Sequence, residues 1–139
     1  MLIVADFNVV FSAVLGAGHS SQIFELNAKT HKFQFIAPLF LMIELGKHTE
    51  RIAAMAKLSI EELQEALQFV SDQIEFISDE EYKSKIEEAR QILKWHEKDV
   101  AYLALALRFN CKILSGDKTF KELCPDKVKN PREILEELI

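Results

Sequence analysis

The sequence predicts an α/β fold, three layers deep, with helices covering both faces of a central parallel sheet. Two observations carry this expectation. Short continuous apolar runs, of the kind strands show when buried on both faces, alternate along the chain with segments of helical period. Such alternation favours right-handed crossovers between parallel strands. The length of 139 residues suits one domain, expected over residues 1–139, with enough apolar surface to close a core without staples.

Leu2-Ile3-Val4-Ala5 is the first strand, and Asp6 stands at its C-terminal end. After a loop containing Gly16, Gly18, Ser20 and Ser21, the stretch Ser21–Ala28 has helical spacing through Ile23, Phe24 and Leu26. Phe33–Ala37 reads as the second strand, and Pro38 suits the first turn of the helix that carries Glu44. Ser59-Ile60-Glu61-Glu62 forms a capping-box pattern, opening a helix whose Leu63, Leu67 and Val70 face the core. Ile74–Ile77 is a third strand, and Asp79 caps an amphipathic helix running to about Leu93. Asp99 then opens Val100–Phe109, an Ala- and Leu-rich helix whose small residues permit close approach to a sheet. Lys112–Ser115 is the fourth strand, followed by Gly116-Asp117 and a short helix through Phe120 and Leu123. Asp126–Lys129 supplies a fifth strand and Pro131–Leu138 a closing helix. No repeat, low-complexity segment or linker interrupts this order.

Composition narrows the function. Hydrophobic residues make up 49% and charged residues 28%, which excludes a disordered chain. Cys111 and Cys124 lie thirteen positions apart with no Cys-x-x-Cys pair, so they are expected to be reduced thiols in a cytoplasmic protein. The apolar N-terminus lacks a basic region and carries Asp6 within it, which argues against export. No stretch long enough to span a membrane occurs. A net charge of -5 argues against a general polyanion binder. Divalent ions gathered by clustered carboxylates would reverse the local field and favour phosphate.

In an open α/β sheet the ligand site lies beyond the carboxyl ends of the strands, where strand order switches direction. Asp6 and Asp117 would share that crevice if the first and fourth strands are neighbours, and Asp99 would join them if its helix begins on the same side. Taken singly, Asp99 and Asp117 are ordinary cap or turn residues. Glu44 interrupts the apolar run Pro38–Leu45, where an unpaired buried carboxylate costs several kcal/mol. Its partner is either His48, four residues on, or a hard cation such as Mg²⁺ or Mn²⁺, which prefers oxygen ligands. Other chemistries find less support. The four histidines lack zinc-ligand spacing, and His96-Glu97 is followed by Val100 where a zincin needs a second histidine. Gly16-Ala17-Gly18 completes no nucleotide-binding loop, and Ser12, Ser20 and Ser115 lack a nucleophile-elbow context.

These residues resemble the PIN-domain family, in particular its stand-alone, VapC-toxin-like prokaryotic nucleases. Val4-Ala5-Asp6-Phe7-Asn8-Val9-Val10-Phe11-Ser12-Ala13 looks like the family's opening of strand, Asp, one residue and Asn, and Met42-Ile43-Glu44-Leu45 looks like its second acid. Glu97–Ala106 leading into Ile113-Leu114-Ser115-Gly116-Asp117-Lys118-Thr119-Phe120 is the strongest likeness, and Asn130–Leu135 is similar to the family's closing segment. Phe7 departs from it, because many members carry Thr there.

The resemblance implies strand order 3-2-1-4-5. It implies that Asp6, Asp99 and Asp117 bind Mg²⁺ or Mn²⁺, that Glu44 binds or positions the metal through water, and that Asn8 and Ser115 support this shell. Lys118 is a candidate contact to substrate phosphate. The implied activity is metal-dependent hydrolysis of single-stranded RNA, with an antitoxin protein as a possible partner and homodimers common. Two alternatives stand beside it: a catalytically weak PIN-fold module that binds RNA or protein, and a phosphate-ester hydrolase with Asp6 as nucleophile, in which Asn8 occupies the place of a needed second Asp.

Overall fold

A computed structural model describes residues 1–94 and 96–139. Five parallel strands form one sheet: β1 (Leu2–Ala5), β2 (Gln34–Pro38), β3 (Ile74–Ile77), β4 (Lys112–Leu114) and β5 (Val128–Lys129). Their spatial order is β3-β2-β1-β4-β5, as the resemblance implied. β1 lies at the centre, with Val4 opposite Ile36 on one side and Ile113 on the other.

Alternation along the strands divides the core in two. Ile3, Ala5, Phe35 and Ala37 face a layer containing Ile23, Phe24, Ile52, Leu63 and Ile134. Val4, Ile36 and Ile113 face a layer built on Leu93, Leu103, Leu105 and Phe120. The second layer rests on α7 (Val100–Phe109), whose Ala104 and Ala106 are fully buried. Small side chains there let the helix backbone approach the sheet, as the composition of this segment predicted.

Several elements differ from the sequence reading. The stretch after Asp6, assigned to no element from the sequence, is a helix, α1 (Phe7–Val14), which the Asp6 carboxylate caps by accepting the Val9 N–H at 3.0 Å. α2 (Gly18–Thr30) exceeds the expected Ser21–Ala28 at both ends. Pro38 ends β2 and precedes α3 (Leu39–Lys47) instead of lying in its first turn. An unanticipated helix, α4 (Thr49–Ala56), buries Ile52 and Ala53. α5 (Ile60–Ser71) opens with the expected reciprocal Ser59–Glu62 box.

The helix expected from Asp79 to Leu93 is broken. Two short 3₁₀ turns, Asp79–Glu81 and Lys83–Lys85, precede α6 (Ile86–Leu93), and Asp79 caps nothing with its side chain. Tyr82, buried between the turns with φ −118° and ψ 3°, sets the break. Ser115 lies just beyond β4 but still donates its N–H to Lys129 O at 3.0 Å. α8 (Lys118–Leu123) and α9 (Pro131–Leu138) complete the chain, the latter with an Asn130–Glu133 capping box. Among the described residues, no helix is long and apolar enough to cross a membrane.

Candidate active site

Strand order brings the expected acids to one edge. Asp6 follows β1 directly, and its N–H binds Leu114 O of neighbouring β4 at 3.2 Å. Asp117 follows β4 by way of Ser115 and Gly116, and Asp99 begins α7 from the same edge. The adjacency of β1 and β4 that the crevice argument needed is therefore present.

Asp6 is only 4% exposed. Burial, resisted by hydrogen bonding from Ser115 and from the Val9 N–H and reinforced by the charges of Asp99 and Asp117, pushes its pKa up to about 6. Asp99 is 7% exposed, and its pKa is raised by burial and then by Asp117, with Lys98 and His96 opposing. Its Oδ2 has no hydrogen-bond partner among the described residues. The buried Tyr102 hydroxyl likewise lacks one, and burial together with the charges of Asp6 and Asp99 raises its pKa.

Asp117 behaves differently. Burial works against its charge, but the Phe120 N–H, the Lys98 ammonium and the Thr119 N–H outweigh it and lower the pKa. Its Oδ1 caps α8 by accepting Thr119 N–H at 2.9 Å and Phe120 N–H at 3.1 Å, and its Oδ2 faces Lys98 Nζ at 3.4 Å. Ser115 Oγ, almost fully buried, accepts the Asp117 N–H at 3.1 Å and so fixes the turn. Lys98 was missed in the sequence, where its only signal was its place beside Asp99.

Glu44 is not the buried orphan that its apolar neighbours suggested. Leu39, Phe40, Met42 and Ile43 are exposed, while only Leu41 and Leu45 of α3 are buried. The Glu44 side chain is 41% exposed and lies 3.5 Å from Lys47 Nζ and 3.8 Å from His48 Nε2. It nevertheless lines the same cavity, of about 780 Å³, as Asp6 and Asp99. Asn8, exposed at the start of α1, lines both that cavity and a smaller one of about 240 Å³ that holds Asp117. Lys118 is exposed and lines neither, whereas Lys98 lines the larger cavity. His48, the ion-pair partner the sequence offered for Glu44, also lines the larger cavity, as does Arg51, which was not singled out in the sequence.

Among the described residues, no group of three or more His, Cys, Asp or Glu is already arranged to hold a metal ion. The donor chemistry nonetheless suits a hard cation: Asp6, Asp99 and Asp117 repel one another's charge, and one oxygen of Asp99 is unpartnered. Lys98 supplies part of the missing positive charge at Asp117.

A family model described as "PIN domain" matches residues 4–138. In fold, the chain is similar to one in the crystal structure of VapBC2 from Rickettsia felis bound to a DNA fragment from their promoter, with a TM-score of 0.69 at 17% identity, covering 94% of this chain and 98% of that one. No curated protein matches the sequence.

Proposed function

This chain belongs to the PIN-domain family, and from that premise we propose that it is a metal-dependent endoribonuclease hydrolysing phosphodiester bonds in single-stranded RNA. The observation that carries the reading is the pair of buried carboxylates, Asp6 and Asp99, each with a raised pKa and one with an unpartnered oxygen. Carboxylates whose charge is disfavoured by burial and by one another cluster at functional sites.

In this proposal Asp6 and Asp99 hold Mg²⁺ or Mn²⁺, with Asp117 and Glu44 completing the anionic rim. When bound, the cation supplies activation of water and neutralisation of charge at the phosphate. Ser115 orients the Asp117 turn, and Asn8 offers an amide at the junction of the two cavities. Lys98, 3.4 Å from Asp117, would be the ammonium at this rim available to a substrate phosphate. The protein acts in the cytoplasm on unpaired RNA, whose splayed nucleotides reach such a crevice more readily than a duplex does. The likeness in fold to a VapBC2 chain supports a toxin role with an antitoxin as partner; a homodimer as the working form is part of the proposal and rests on the family resemblance alone.

A second reading, a catalytically weak interaction module, draws on the absence of a ready-made metal cage among the described residues. Calorimetric titration with Mn²⁺ and cleavage of single-stranded RNA separate the two. The nuclease reading expects Mn²⁺ binding and cleavage that both disappear in Asp6→Asn; undiminished cleavage in that variant rejects it.

A further inference from the structure

Phe7 departs from the pattern of the resembled family, and its surroundings give that departure a use. Its ring stacks on Phe11, one turn further along α1, with centroids 5.6 Å apart and planes at 23°. Both rings are only half-buried, and both line the cavity of about 780 Å³ that holds Asp6 and Asp99. Another aromatic pair, Phe40 and Tyr102, edge to face at 5.7 Å, lines the same cavity. The volume lies in the range of small-ligand sites, which combine apolar walls with a few polar groups.

The cations around this cavity differ in availability. Arg90 is held by Glu87 and Glu97 at 3.6 and 3.0 Å, and Lys98 by Asp117 at 3.4 Å. Arg51 is exposed and, among the described residues, in no ion pair. An aromatic wall, a free guanidinium and a carboxylate cluster match the base, the phosphate and the reacting centre of one strand.

We infer that Phe7 and Phe11 form a stacking platform for an unpaired nucleobase next to the cleaved phosphodiester, with Arg51 receiving a phosphate of the same strand. Phe7 is the residue after Asp6 and lines the same cavity as Asp6 and Asp99, so a base stacked on it lies beside the carboxylates. Stacking tolerates every base but grows with ring area, so purines are preferred over pyrimidines, and an abasic position is bound worst. The inference rests on the nuclease reading and extends it to the way the substrate is gripped.

The test measures binding of short oligoadenylate, oligouridylate and an abasic chain of equal length in excess EDTA at low salt, followed by KM and kcat with Mn²⁺. Phe7→Leu keeps an apolar side chain without a π face, Phe7→Trp enlarges that face, and melting curves establish that both fold. The expected result is that Leu weakens oligoadenylate binding by about fivefold or more and flattens the order among the three chains, while Trp preserves both. With Mn²⁺, Leu raises KM by a similar factor and leaves kcat nearly unchanged. Arg51→Ala weakens all three chains alike and lowers the salt slope by about 0.7. Unchanged binding and KM in Phe7→Leu, or a Trp variant as weak as Leu, overturns the platform while wild-type cleavage leaves the nuclease reading standing. Failure of wild type to bind or cleave RNA at all removes both.

Discussion

Replacing Asp6 by Asn is expected to stabilise the metal-free protein at neutral pH. The carboxyl is 4% exposed, and burial and its acidic neighbours move its pKa from 3.8 to about 6. Between these values the folded chain keeps a proton that the unfolded chain releases. Stability therefore falls as pH rises through this window, and the loss is complete above it. The shift corresponds to at most about 3 kcal/mol at neutral pH, or on the order of 10 °C in melting temperature for a chain of this size. Asn carries no charge to desolvate and retains an Oδ1 for the Val9 N–H, so the cap on α1 survives. Thermal unfolding followed by circular dichroism in EDTA is expected to place Asp6→Asn well above wild type at about pH 7 and close to it at about pH 4. Mn²⁺ is expected to raise the wild-type midpoint, increasingly so above about pH 6, and to leave the variant's unmoved. A variant no more stable than wild type at either pH would refute the reasoning that Asp6 is a repelled, buried charge.

Glu44→Gln is expected to change stability by less than about 0.5 kcal/mol, because its ion pairs are exposed, and to lower cleavage less than Asp99→Asn does; denaturant titration and initial rates measure both. Lys98→Ala removes the cation 3.4 Å from Asp117, so calorimetry should show tighter Mn²⁺ binding while KM for RNA rises. Asn27→Ala leaves the Phe33 N–H and C=O without the side-chain partners they have at 2.8 and 3.0 Å, which is expected to lower stability by about 2 to 4 kcal/mol in urea unfolding.

The strands and the acids beside them were legible because their signals are local. Leu2–Ala5 is a continuous apolar run of strand length, Ile113-Leu114 is a shorter one, and Asp6 and Asp117 follow these runs directly or within a short turn. The Ser59 box was legible because its hydrogen bonds close within three residues. Phe7–Val14 was not, since its β-branched valines read equally as strand or turn until the Asp6 cap is seen. The same ambiguity misplaced Glu44: an apolar run in the sequence does not disclose that Leu39, Phe40, Met42 and Ile43 face outward. Arg51 and Tyr102 were silent because only the packing of α4 and α7 around the cavity brings them to the carboxylates.

Asp6 and Asp117 each use one oxygen to cap a helix, so folding itself sets their positions. Glutamate, one methylene longer, cannot keep that grip, whereas asparagine can. On the proposed nuclease reading, a single-step change from Asp to Asn at position 6 is expected to silence cleavage and to leave a sturdier scaffold. Lineages released from selection for cleavage should drift along that route, and well-folded inactive descendants bearing Asn there are what this architecture favours.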